Sequence, residues 1–229
     1  MNIRIEENLK QVRQNIADAC ARSGRDPESV TLIAVSKTKP LEDLQNAYDC
    51  DVRNFGENKV QEIVLKAPNM PENAKFHMIG HLQRNKVKQV LKHVMLIHSV
   101  DSVRLAEQIQ QEAEKEQLQM DILLEVNVAG EESKYGFAPD EVTDAVMEIA
   151  KFPNVHIRGL MTIAPFVENS EENRDVFKKL FQLSVDISRK NIDNVTMSVL
   201  SMGMTGDYEV AIEEGATMIR VGTGIFGSR

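Results

Sequence analysis

Thr31-Leu32-Ile33-Ala34-Val35-Ser36-Lys37-Thr38-Lys39-Pro40 decides between two ways of building a parallel sheet. Its first five residues are apolar or β-branched, a run suited to a buried strand and too short for a helix. A doubly wound dinucleotide fold would place GxGxxG after that strand. Here a lysine-bearing turn follows, and Pro40 stands where the next helix begins, with Leu41, Leu44 and Tyr48 behind it. Upstream, Ile5, Leu9, Val12, Ile16 and Ala19 recur at helical spacing until Ser23-Gly24, which predicts an amphipathic helix ahead of the first strand. Downstream, short apolar runs at 52–55, 76–79, 95–98, 122–127, 155–162, 196–200 and 217–221 alternate with helical patterns such as Val142, Val146, Ile149 and Val176, Leu180, Phe181, Ile187. Asp101 and Asp207 stand at expected N-caps. About eight strand-then-helix units predict a closed (β/α)8 TIM-type barrel with an extra N-terminal helix, as one domain over 1–229.

Composition narrows the partners. The net charge of −8 comes from 27 basic and 35 acidic residues, and disfavours non-specific attraction to nucleic acid or an anionic membrane. No apolar run approaches the ~20 residues of a membrane span, and the first residues lack the apolar core of a signal peptide. Cys20 and Cys50 lie in unrelated segments without CxxC spacing, as expected of free thiols in the cytoplasm. No apolar surface stripe is left unassigned, so a monomer is expected.

In this fold the chemistry sits at the C-terminal ends of the strands. Lys37 follows the first strand with the parity of Ile33 and Val35, so its amine is expected at the barrel mouth, where it can form an imine with an aldehyde. The competing reading is a solvated lysine at a strand end. The seventh strand leads into Leu200-Ser201-Met202-Gly203-Met204-Thr205-Gly206 and the eighth into Arg220-Val221-Gly222-Thr223-Gly224. Small-residue turns at these two strands offer hydroxyls and backbone N–H groups to a phosphate; alternatively they are only tight turns. Arg220 shares the inward parity of Met218 and either pairs with a carboxylate such as Glu125 or faces a ligand. Asn58 either caps the next helix or bonds a ligand. His77 and His81 have HxxxH spacing, but Gly80 interrupts it and no acidic third ligand is evident, so no metal is expected.

Taken together, Val35-Ser36-Lys37, Phe55-Gly56-Glu57-Asn58, Ile79-Gly80-His81-Leu82-Gln83-Arg84-Asn85-Lys86, Gly159-Leu160-Met161, Leu200-Ser201-Met202-Gly203-Met204 and Arg220-Val221-Gly222-Thr223 closely resemble the pyridoxal 5′-phosphate (PLP) homeostasis proteins, also called the YggS or proline synthetase co-transcribed family. The resemblance spans essentially the whole chain. It implies a barrel similar to the N-terminal domain of bacterial alanine racemase, with PLP held as an imine on Lys37. It also implies Ser201, Gly222 and Thr223 around the phosphate, Arg220 at the pyridine nitrogen, and Asn58 and Met202 beside the ring; it gives His81 no role. Family members are regarded as carriers or regulators of PLP that influence amino-acid and keto-acid pools, with PLP-dependent apo-enzymes as candidate recipients. Racemisation needs a second acid/base on the opposite face, and the chain is not expected to supply a second domain carrying one. A PLP enzyme such as a weak racemase, and a Schiff-base aldolase acting on a sugar phosphate, are the alternatives. The polar loop 130–136 is either a lid or a solvated connection.

Overall fold

The computed structural model describes residues 3–131 and 134–227. Helix α1 (Ile3–Ser23) precedes the repeating units. In these, β1 (Thr31–Val35) leads to α2 (Leu41–Asp49), β2 (Asn54–Glu57) to α3 (Val60–Lys66), β3 (Lys75–Met78) to α4 (Val87–Val90), and β4 (Leu96–Val100) to α5 (Val103–Lys115). The second half continues with β5 (Met120–Glu125) and α6 (Val142–Ile149), β6 (Val155–Met161) and α7 (Arg174–Ser188), β7 (Val195–Met204) and α8 (Tyr208–Glu213), and β8 (Met218–Val221) and α9 (Thr223–Phe226). The strands close in sequence order into one parallel barrel, β8 pairing with β1 in the register Thr31↔Met218 to Ala34↔Val221. This is the TIM-type architecture expected from the alternation.

Helix α1 buries the stripe read from sequence, Ile5, Leu9, Val12, Ile16 and Ala19. Each large aliphatic side chain so buried contributes about 1.5–3 kcal/mol. The stripe lies against α2, α8 and α9, where α1 covers the β8–β1 seam. Asn8 Nδ2 donates to Ile225 O at 2.8 Å and Asn15 Nδ2 to the Tyr208 hydroxyl at 2.9 Å. Cys20 is buried in α1 and Cys50 follows α2; both thiols are free. Among the described residues no helix is long and apolar enough to cross a membrane.

Two details depart from the sequence expectations. Asp101 is not the cap of α5: Ser102 is, its hydroxyl accepting from Leu105 N, while Asp101 turns to His81. Strand β7 runs four residues further than expected, so Ser201–Met204 are strand rather than turn. The extension contains a bulge, since Ser201 and Met204 pair with Met218 and Arg220, three steps against two. Gly203 makes it possible, with φ +89 and no room for a Cβ, which would lie 2.6 Å from Ala211 Cβ. The bulge re-aims the chain, so that Thr205 arrives beside the end of β8.

Within the barrel, Leu96, Leu123 and Met161 form a small apolar layer with Ile163, Val199 and Met218. Above it, on the same inward parity, stand His98, Glu125, Ser201 and Arg220. The larger apolar cluster lies between strands and helices.

Candidate functional site

The site begins with the turn after β1. Ser36 is fully buried, whereas Lys37, two residues past the end of β1, is exposed at the rim. Thr38 takes a left-handed conformation, φ 63. What holds the turn is a buried cluster beneath it. Lys66 Nζ, near the end of α3, donates to Ser36 O at 2.8 Å, Glu57 Oε1 at 2.8 Å and Glu62 Oε2 at 2.7 Å. Ser36 Oγ donates to Glu57 Oε1 at 2.6 Å, and Thr38 N–H to Glu62 Oε2 at 2.7 Å. Both flanks of Lys37 are thus pinned while its own side chain is left to solvent. Burial raises the Glu57 pKa above the usual carboxylate value even with Lys66 and Ser36 opposing it. Glu62 is also pushed up by burial, but Lys66 and the Thr38 N–H bring it below its ordinary value.

The end of β8 lies beside that turn: a Cβ on Gly222 would stand 3.4 Å from Val35 Cβ. The N–H groups of Gly222 and Gly224 converge on Thr205 Oγ1, at 3.2 and 3.5 Å. A hydroxyl oxygen of the turn after β7 therefore sits where two main-chain donors of the turn after β8 meet. Thr223 is exposed at the first position of α9. Asp207 fixes the approach of β7, accepting from Met204 N–H at 2.7 Å and from Asn173 Nδ2 at 2.8 Å.

Arg220 forms the floor. It is almost fully buried, donating through Nη1 to Ser201 Oγ at 2.6 Å and through Nη2 to Thr162 O at 2.8 Å. Desolvation lowers its pKa to about 10, so it remains a cation at neutral pH; Glu125 and Asp207 resist the shift. No direct Arg220–Glu125 ion pair is present among the described residues, so the pairing considered from sequence is replaced by bonds to a hydroxyl and a carbonyl. Below Ser201 the polar chain continues. Ser201 Oγ meets His98 Nδ1 at 2.8 Å, His98 Nε2 meets His77 Nδ1 at 3.0 Å, and His77 Nε2 meets Asn54 Oδ1 at 3.1 Å. Burial, and then the Lys75 charge, lower the His77 pKa to about 3. Burial also holds His98 well below its ordinary value, with His77 and Arg220 adding to the effect.

The opposite rim is acidic and aromatic. Glu125 is buried at the end of β5 and lines a cavity of about 140 Å³ with Asn127, Lys134, Tyr135 and Ile163. Desolvation, then the neighbouring Asp101 charge, raise its pKa to about 7, against the pull of Arg220. His81 Nδ1 lies 3.0 Å from Asp101 Oδ2, and the His81 ring stacks on Tyr135 at 3.9 Å. Loop 130–136 thereby reaches the rim through Tyr135; its residues 132 and 133 lie outside the described residues. Asn58 does not cap α3, whose N-cap is Lys59. Its side-chain oxygen is buried without a hydrogen-bond partner among the described residues. Gly80 holds it there by close approach, since a Cβ would fall 2.6 Å from Asn58 O.

The model of the alanine racemase N-terminal domain family matches residues 8–229. A pyridoxal phosphate homeostasis protein of Aquifex aeolicus is 44% identical, the match covering 97% of each chain. The chain belongs to this family. The pyridoxal phosphate homeostasis protein of Escherichia coli K12 is 39% identical, with 98% of this chain and 97% of that one covered. Among solved structures, PipY of Synechococcus elongatus PCC7942 with PLP bound is 34% identical, with a TM-score of 0.83 over 97% of this chain and 100% of its own. Alanine racemase of Clostridium difficile 630, at 14% identity and a TM-score of 0.75, covers 100% of this chain with 56% of its own and shares the fold.

Against the family pattern, the barrel brings Lys37, Asn58, Arg220, Gly222 and Thr223 to its C-terminal mouth. Ser201 lies one level lower, its hydroxyl engaged by Arg220 and His98. Met202, next in the strand, is fully buried in the outer apolar cluster, so its side chain points away from the mouth. Sequence reasoning missed Thr205, Lys66, His77 and His98. Thr205 carried a signal, a hydroxyl within the first small-residue turn. Lys66 and His98 carried none, and His77 stood out only for its HxxxH spacing with His81.

Proposed function

We propose that this chain binds PLP at the C-terminal mouth of its barrel, as an imine on Lys37, and serves intracellular PLP homeostasis as a carrier or regulator. The observation that carries the reading is an exposed lysine on a pinned turn, beside converging main-chain donors at one mouth. The residues fit the group. Asn58 offers a buried oxygen without a partner, and Thr205 marks where the N–H groups of Gly222 and Gly224 would receive a phosphate oxygen. Thr223 adds an exposed hydroxyl, Arg220 a fixed cation for the pyridine nitrogen, and Met202 its main chain only. Ser201 acts one step removed, by holding Arg220. Bound PLP supplies an electron sink for carbanions; a permanently charged arginine at its ring nitrogen would keep that nitrogen unprotonated and restrain the sink.

The tyrosines favour a carrier. Tyr48 bonds Asn73 and Tyr208 bonds Asn15, both outside the barrel, and Tyr135 is stacked on His81. PLP-dependent apo-enzymes are the proposed recipients, and the protein is proposed to be a cytoplasmic monomer acting as one domain. The name of the Aquifex aeolicus relative and the PLP in the PipY structure support this reading. Titrating the protein with PLP should give an imine absorption band that is absent from Lys37→Ala. Amino acids in deuterium oxide should then keep their α-protons on the loaded protein. No band in the parent would remove the cofactor and return the sugar-phosphate reading.

One observation favours a catalytic reading: Glu125, a buried carboxyl titrating near neutrality at the rim opposite Lys37. That reading requires α-proton exchange that Glu125→Gln abolishes.

A further inference from the structure

The polar chain under Arg220 runs in one direction. A guanidinium only donates, so Ser201 Oγ is an acceptor toward Arg220 Nη1 at 2.6 Å. The other partner of that oxygen is His98 Nδ1, at 2.8 Å, so the hydroxyl proton goes there. The opposite polarity would leave a buried hydroxyl proton without an acceptor, at a desolvation cost. His98 then carries its proton on Nε2 and donates to His77 Nδ1 at 3.0 Å, and His77 donates from Nε2 to Asn54 Oδ1 at 3.1 Å. The chain crosses the barrel from β8 through β7, β4 and β3 to β2. Both imidazoles are completely buried.

We infer that His98 and His77 are positioning residues, which lock the Ser201 hydroxyl as an acceptor and thereby fix the Arg220 guanidinium at the floor of the mouth. With Thr162 O taking the second donor, two corners of the guanidinium are anchored and its remaining edge is presented to whatever occupies the mouth. The consequence for PLP rests on the function proposed above; the chain itself does not.

Two measurements test it. In the PLP-free protein, imidazole ¹⁵N NMR should show an unprotonated Nδ1 and a slowly exchanging Nε2–H in both His77 and His98 at neutral pH. A doubly protonated ring, or the Nδ1–H tautomer in either residue, would overturn the inference, and this measurement needs no variant. Second, His98→Leu removes the acceptor, whereas His98→Asn replaces Nδ1 with an amide oxygen. Loss of one hydrogen bond in a chain ending on a charged group should weaken PLP binding by about tenfold in His98→Leu. His98→Asn should recover most of that loss. A folded His98→Leu protein with the parent's PLP affinity would overturn the inference. Absence of an imine band in the parent would instead overturn the PLP reading and leave the NMR result standing.

Discussion

His77 and His98 make the acid limit of the protein calculable in sign. Each has an ordinary pKa of 6.5 when unfolded; in the fold His77 titrates at about 3 and His98 well below 6.5. Lowered basic groups leave stability intact above pH 6.5 and remove it as pH falls toward the folded values, because only the unfolded chain takes up the protons. Each histidine should contribute a slope approaching about 1.4 kcal/mol per pH unit once the unfolded form is protonated. Urea denaturation at a series of pH values checks this, and His77→Asn should flatten the slope by about one proton. Glu125 runs the other way. Its folded pKa of about 7 exceeds its unfolded value of 4.5, so the fold prefers it protonated, and stability is lost as pH rises from 4.5 to about 7. Glu125→Gln should therefore stabilise by about 3 kcal/mol at pH 8 and by little near pH 4.5. The part the two histidines play was hard to read from sequence. His77 and His98 sit in apolar strands, where a satisfied core histidine looks the same as one in a functional chain.

At the scale of elements, the turn carrying Lys37 depends on α3. Lys66→Met would strand Glu57 beneath Ser36, and breaking such a buried pair costs about 3–5 kcal/mol. Adding Glu57→Gln should recover a substantial part of that, which a denaturation double-mutant cycle would show as coupling. Independent effects that simply add would mean that the cluster is not a unit. Lys66 looks from sequence like the i+4 partner of Glu62 on a solvated face, and only the packing of α3 against β2 reveals that it is inside. The bulge in β7 is the second such element. Gly203→Ala combines a positive φ with a Cβ 2.6 Å from Ala211 Cβ, and should cost about 2–4 kcal/mol in the same assay. In sequence, Met202-Gly203-Met204 reads as the start of a turn; the strand continues because a bulge absorbs the glycine. Lys37 lies at the mouth end of β1, where its position in the chain puts it.

At the scale of the molecule, the strand–helix alternation was legible throughout, since a parallel barrel needs apolar strands and amphipathic helices at every step. The candidate site was legible as far as chain position determines it. Lys37, Arg220, Gly222 and Thr223 lie at strand ends, which the fold gathers by construction. What escaped was set by long-range contact: His98 with Ser201 across the barrel, Lys66 with Ser36 beneath the turn, and Thr205 with Gly222 and Gly224. The same geometry separates Lys37 from three other amines, which are engaged elsewhere. Lys66 is buried with three acceptors, Lys39 Nζ lies 3.3 Å from Phe226 O, and Lys134 pairs with Glu131. A single PLP site at Lys37, as proposed, predicts one modified lysine. Protein loaded with PLP, reduced with borohydride and digested should yield the pyridoxyl adduct on the peptide containing Lys37, with the other lysines essentially unlabelled. An adduct mainly on another lysine, or none after reduction, would contradict the account.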